Sequence, residues 1–319
     1  MPQVQPASRT SSLRRLIESP RDREEQRAPV SPAFEQTLNA FLDALEGRNR
    51  AATTRVAYRT DLSQFISWLH DNNLTAETPQ RVERADITEY LTHLSRSGVS
   101  GITRARKLAA IREYFRFLEG EQVIARSPAT SVETPKKEKH LRTYLLPDEY
   151  SRMLSLAGAD PRDYCILQVF LQTGVRVSEL CALRLEDVEI PGQTIHIRFG
   201  KGMVARDIEL EKKAVAAIKN YLAVRPPSVD DHLFLNRYGQ PIGERGVRKL
   251  VVKYRTRAGI TKRVSCHSLR HTFATHKAEQ GVSPFQLQQW LGHTNLNTTQ
   301  IYVHMGRQNA KRLMEATSL

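Results

Sequence analysis

Apolar residues recur at three- and four-residue steps through most of this chain, the period of helices that bury one face. Between Pro32 and Leu118 they outline four such helices: Phe34 to Leu45, Thr53 to Leu69, Ile87 to Leu94 and Ile102 to Leu118. In the second, Tyr58, Leu62, Phe65 and Leu69 form one stripe, and Arg55 and Arg59 lie off it. In the fourth, Arg104, Arg106, Lys107 and Arg112 accompany Leu108, Ile111, Tyr114, Phe115 and Leu118. Helical periodicity resumes after Leu145 with Pro147 to Leu156, Pro161 to Gln172 and Val177 to Leu183. Short β-rich runs follow, Val188 to Ile190, Thr194 to Arg198 and Val204 to Leu210, the last two separated by the turn Gly200, Lys201, Gly202. Helices return over Lys212 to Val224, Glu244 to Ala258, Leu269 to Gln280, Pro284 to Leu291, Thr298 to His304 and Asn309 to Ala316. The expected fold is mainly α with a small antiparallel β-sheet: an N-terminal helical bundle, then a larger C-terminal domain.

Composition shifts set the expected boundaries. Residues 1–31 mix Ser, Pro, Arg and Glu with few apolar side chains, too little burial to offset the entropy of ordering, and read as a flexible tail. Within it, Leu13 to Ile17 offers one basic helical turn. Residues 32–125 form the bundle, and 126–144, rich in Pro and Lys without apolar periodicity, read as a linker. The second domain is expected over 145–305, with 306–319 as a C-terminal helix or tail. A chain of 319 residues has room for two such cores.

A net charge of +14 points to a polyanionic partner, although charge alone fits a ribosomal protein or a membrane-surface binder as well. No apolar run approaches the roughly 18 residues of a membrane span, and nothing resembles a signal peptide, so a cytoplasmic protein is expected. Cys165, Cys181 and Cys266 lack the spacing of a disulfide framework or a zinc site, and the first two read as small buried hydrophobes.

Four runs in the C-terminal half narrow the chemistry: TGVRVSEL, GKG, HSLRHTFAT and LGHTNLNTTQIYVH. They supply Arg176, Lys201, His267, Arg270, His293 and Tyr302, a set able to break a phosphodiester through a covalent protein link without a metal. A tyrosine hydroxyl with a free pKa of about 10 is a poor nucleophile until a base and nearby cations assist it. His267 and His271 also share the spacing of a helical zinc pair, but Arg270 lies between them and no carboxylate supplements them. His271 and His304 read as structural.

This ordered set, with Thr173 and Gly174 before the first arginine, Ser178 and Glu179 after it, Leu291 and Gly292 before His293, and Thr298 and Thr299 before Tyr302, resembles the active site of the tyrosine recombinases, the phage integrase family. Thr53 to Leu69 resembles the DNA-clasping helix of the Xer-type members, so the likeness spans nearly all of the chain beyond the tail. The resemblance implies a SAM-like, core-binding N-terminal bundle and a catalytic C-terminal domain that together clamp a duplex. It implies that Arg176 and Arg270 fork onto the non-bridging oxygens of the scissile phosphate, and that Lys201 is the general acid for the leaving 5′ oxygen. His267 and His293 would donate to the same phosphate, and either could accept the Tyr302 proton. Glu179, three residues after Arg176 and on the same helix face, would orient it. Candidate DNA contacts are Thr54, Arg55, Arg59, Arg104, Arg106, Lys107, Lys136 and Lys137. Tyr302 would form a 3′-phosphotyrosine, and a homo-tetramer on two double-stranded DNA sites with inverted half-sites would exchange strands through a Holliday junction, with no metal, ATP or other cofactor. The last helix would dock in its own or a neighbouring subunit. A type IB topoisomerase, or a DNA-binding regulator without catalysis, are the competing readings.

Overall fold

The structure is a computed structural model that describes residues 31–72, 77–136, 138, 143–198 and 205–292. The turn carrying Lys201, the residues His293 and Tyr302, the helices expected over Thr298 to His304 and Asn309 to Ala316, the Leu13 to Ile17 turn, Lys137 and Lys139 all lie outside the described residues. The chain divides into two compact units, Met1–His140 and Leu141–Leu319.

Four helices build the first unit: α1 (Pro32–Gly47), α2 (Ala52–Asn72), α3 (Arg84–Arg96) and α4 (Gly101–Gly120). Each matches a predicted periodic segment, lengthened by a turn or less where capping chemistry allows. Ser31 Oγ accepts from the Phe34 amide at 3.4 Å and Ser100 Oγ from the Thr103 amide at 3.3 Å, satisfying donors that a helix start leaves open. The core is aromatic. Phe41 meets Tyr58 edge-on at 5.6 Å and Tyr114 at 5.7 Å, and the Tyr114 hydroxyl pairs with Thr37 Oγ1 at 2.7 Å.

Two features of this unit depart from the sequence expectation. Lys107 does not belong to a DNA-facing surface: it is buried, and its ammonium donates to Asp61 at 3.0 Å and to Gln64. It sits in phase with Ile111, Tyr114 and Leu118, on the apolar stripe rather than opposite it. Secondly, Ala129 and Val132 pack into the bundle core, and Arg112 ties this stretch down through the Ala129 and Val132 carbonyls and Thr134 Oγ1, so the segment expected to be linker from residue 126 begins as part of the bundle. A Cβ at Gly101 would lie 2.2 Å from the Lys136 carbonyl, which makes glycine the residue that lets this strap cross the start of α4.

The second unit contains α5 (Pro147–Ala157), α6 (Pro161–Thr173), α7 (Val177–Ala182), strands β1 (Val188–Glu189), β2 (Thr194–Ile197) and β3 (Arg206–Glu209), then α8 (Lys212–Val224), α9 (Glu244–Arg257), α10 (Cys266–Glu279) and α11 (Pro284–Leu291). The strands form an antiparallel sheet in the order β1-β2-β3, with Ile195 opposite Ile208 and Ile197 opposite Arg206. Helix α6 is central, packed by α5, α8 and α10, and buries Cys165, Ile166, Leu167, Val169 and Phe170. Asp163, in its first turn, is buried and accepts from Arg162, Lys253 and Tyr254, which pins α9 to α6. The mainly α fold with a small antiparallel sheet is the one the periodicity predicts.

Breaking a buried ion pair by removing one partner typically costs 3–5 kcal/mol, so Lys107→Ala should lower unfolding stability by about 3 kcal/mol. Removing both charges, as Lys107→Met with Asp61→Leu, should recover most of that loss. Urea unfolding followed by circular dichroism measures both. A Lys107→Ala protein of unchanged stability and weakened DNA binding would return this lysine to the surface role.

Candidate active site

The site is assembled on the ends of three helices. Helix α6 closes at Gly174, whose amide donates to the Phe170 carbonyl at 3.0 Å in a left-handed conformation with φ 61°. Only glycine fits there, since a Cβ would lie 2.5 Å from the Phe273 ring. This turn aims the Gly174 carbonyl at α10, where it accepts from Arg270 Nη1 at 2.8 Å. Two residues on, Arg176 caps α7: its amide donates to Glu179 Oε2 at 2.7 Å and its Nη1 to Glu179 Oε1 at 3.0 Å.

Helix α11 supplies the third side. A helix ends with carbonyls that have no intrahelical partner, and its C-terminus carries a partial negative charge. Here arginines meet those carbonyls. Leu291 O accepts from Arg270 Nη2 at 2.6 Å and from Arg176 Nη1 at 3.4 Å, while Gly292 O accepts from Arg176 Nη2 at 3.1 Å. The remaining carbonyl, Trp290 O, accepts from Arg206 Nε at 2.6 Å. Arg176 and Arg270, separated by most of the domain's sequence, therefore converge on one backbone oxygen.

Arg206 is the residue that sequence reasoning missed. It forks onto Glu179, Nη1 to Oε1 at 3.1 Å and Nη2 to Oε2 at 2.9 Å, so Glu179 lies between two guanidinium groups. The signal was available in the alternation of β3, where Arg206 falls in phase with the buried Ile208 and Leu210 and so points inward. Burial alone would push the Glu179 carboxyl up. Hydrogen bonds from Arg206 and the Arg176 amide, with the charges of both arginines, hold it below the usual carboxylate value.

His267 lies one turn before Arg270 on α10 and is exposed, whereas Arg270 is buried. His271 is buried with its ring edge-on to Tyr144. Lys201 falls in sequence between β2 and β3, and His293 directly follows Gly292, both outside the described residues together with Tyr302. Burial pushes the Cys165 thiol up, Cys181 to about 12 and Cys266 to about 11, values that disfavour thiolate chemistry. Among the described residues Asp230, Asp231 and His232 bring potential metal-ligand atoms within 4.8 Å of one another. They sit on a separate loop where Arg184 pairs with Asp231 and Asp230 hydrogen-bonds His232, so each already has a protein partner.

Of the basic residues nominated for DNA contact, Arg55 pairs with Glu46 at 2.5 Å and the exposed Arg59 donates to Asn39 at 3.0 Å. Thr54 is half-buried on α2. Arg104 donates to the Val99 carbonyl at 3.1 Å, Arg106 is exposed beside Asp61, and Lys136 is exposed. No helix among the described residues is long and apolar enough to cross a membrane.

The phage integrase family matches residues 143–309, and the phage integrase N-terminal SAM-like domain matches residues 38–122. A tyrosine recombinase of Pseudothermotoga lettingae is 34% identical over 275 residues, 85% of this chain and 94% of that protein. Tyrosine recombinase XerC of Thermodesulfovibrio yellowstonii is 36% identical over 271 residues, 81% of this chain and 87% of its own. The same fold is seen in the XerH site-specific recombinase bound to a palindromic difH substrate, with a TM-score of 0.70, 22% identity, and coverage of 93% of this chain and 87% of that one. The chain belongs to the phage integrase family, and its curated relatives include tyrosine recombinases named XerC.

Proposed function

We propose that this protein is a site-specific DNA recombinase in which Tyr302 attacks the scissile phosphate while Arg176 and Arg270 hold its non-bridging oxygens. The observation that carries this reading is the convergence of the two arginines on the Leu291 carbonyl, which presents two planar, permanently charged forks at one place. As the phenolic oxygen bonds to phosphorus, the P–O5′ bond breaks, and the 5′ oxygen takes a proton from Lys201. The phenolic proton passes to a nearby base, with His267 and His293 the available imidazoles. The product is a 3′-phosphotyrosine and a free 5′ hydroxyl. One phosphoester has replaced another, so a 5′ hydroxyl from a second strand reverses the step without ATP.

Strand exchange by this route needs paired cleavages, which fits a homo-tetramer on two duplexes with inverted half-sites and a Holliday junction between the exchanges. Thr54, Arg55, Arg59, Arg104 and Lys136 of the first unit supply phosphate contacts, and residues 306–319 dock against the protein to complete the assembly. Residues before Ser31 and the segment beyond Lys136 serve as tail and linker.

Tyr302→Phe removes only the nucleophilic oxygen, so a duplex that the unaltered protein links to itself should still be bound and should give no adduct on a denaturing gel. An adduct of undiminished yield moves the nucleophile to another tyrosine. Absence of any adduct from the unaltered protein favours the non-catalytic reading.

Lys201→Ala should abolish cleavage of ordinary DNA and regain it on DNA whose bridging 5′ oxygen is sulfur. A thiolate, with a conjugate acid near pKa 8.5, departs without protonation, whereas an alkoxide does not. Arg176→Ala and Arg270→Ala should stay impaired on the same substrate because they act on the non-bridging oxygens. Equal rescue of all three variants would remove Lys201 from the general-acid role.

A further inference from the structure

We infer that Arg206 is a positioning residue for cleavage: it shares the Glu179 carboxylate with Arg176 and fixes the α11 carbonyl end on which both phosphate-directed arginines rest. The inference builds on the proposed role of Arg176 as a phosphate ligand.

Three observations carry it. Among the described residues, every hydrogen bond of the Arg206 side chain goes to a group that touches, or directly precedes a group that touches, the arginine pair. Its fork meets both oxygens of Glu179, whose Oε1 also receives Arg176, and its Nε meets Trp290 O, the peptide before the Leu291 carbonyl that Arg176 and Arg270 share. Its guanidinium also lies against Gly292, where a Cβ would come within 3.0 Å of Nη1, and the Gly292 carbonyl is itself an Arg176 acceptor. All three nitrogens of Arg206 are engaged by Glu179 and Trp290 O, and its side chain is 8% exposed against 32% for Arg176, so it acts through its neighbours rather than on DNA.

Charge explains why an arginine is used at an inward strand position where Ile208 and Leu210 are apolar. A carboxylate paired with Arg176 alone would neutralise the cation that has to meet the phosphate. Divided between two guanidiniums, the same carboxylate still orients Arg176 but leaves the trio with a net positive charge. A packed leucine or methionine would serve the core with a smaller desolvation penalty, and would leave Glu179 and Trp290 O without these donors. Lysine keeps the charge but cannot span both carboxylate oxygens and a carbonyl at once.

The test uses the full chain and a duplex selected by the unaltered protein from a randomised pool and cleaved by it, with covalent cleavage followed in single turnover. Arg206→Gln should cleave about 10-fold or more slowly, short of the 10² to 10³ expected for losing a phosphate ligand outright, with duplex affinity little changed. Arg206→Lys should fall between. In an Arg176→Ala background the Arg206→Gln change should cost clearly less than it does alone, because of the two arginines it positions only Arg270 remains. The acid side of the pH–rate profile should also move to higher pH in Arg206→Gln. There the buried Glu179 carboxyl loses its principal donor, protonates more readily, and then ceases to orient Arg176.

Should Arg206→Gln lower Tm substantially, Arg206→Lys takes its place in the same comparison. Cleavage at the unaltered rate, or a loss that simply multiplies with that of Arg176→Ala, overturns the inference and leaves Arg206 as a packing residue. Full cleavage by Arg176→Ala would instead strike at the underlying site assignment, an outcome separate from any result at Arg206.

Discussion

In the proposed mechanism two guanidinium groups act on one phosphate, and before it arrives they repel each other, by about 4 kcal/mol for unit charges 4 Å apart at an effective dielectric near 20. The second unit answers this with the carboxyl end of a helix. The orphan carbonyls of α11 offer fixed negative poles, and Arg176, Arg270 and Arg206 occupy them in turn. Much of the surrounding architecture follows from that choice. Gly174 turns α6 so that its carbonyl completes the Arg270 pair, α7 starts at Arg176, and Gly292 stays small so that Arg206 can lie against it.

How legible this was in the sequence depends on the range over which each feature is determined. The helices were legible because apolar spacing is local and repeats within each element, as in Phe34, Leu38, Phe41, Leu42 and Leu45 of α1. The arginine–glutamate pair at the start of α7 was legible because three residues separate its members on one helix. The convergence on Leu291 O was not, since it joins residues more than a hundred positions apart through a backbone atom that carries no side-chain signature. Family resemblance supplied the list of side chains without the carbonyls that hold them.

Lys107 was read as a DNA contact and Arg206 was given no role, and one feature corrects both. Both are charged residues that occupy the inward phase of their element, Lys107 with Ile111 and Tyr114 on α4 and Arg206 with Ile208 on β3. A basic residue within a basic chain invites assignment to the polyanion, and the net charge of +14 strengthens that habit. Phase is the better guide, because a cation on the buried side must have a partner. Asp61 answers Lys107 and Glu179 answers Arg206, each from a different element.

The same arithmetic of partners bears on the proposed catalysis. Among the described residues at the site, three guanidiniums face one carboxylate, so the cluster keeps two positive charges after its internal pairing. A phosphodiester carries one negative charge in its ground state and gains a second as the attacking oxygen adds to phosphorus. A cluster matched to the later state rather than the earlier one binds the transition state more strongly than the substrate, which is what accelerates a chemical step. Because its donors already point along fixed helix ends, little reorganisation is needed as that charge develops. Glu179 sets this balance: removing it would add repulsion among the arginines, and a second carboxylate beside it would halve the surplus that the proposed reaction uses.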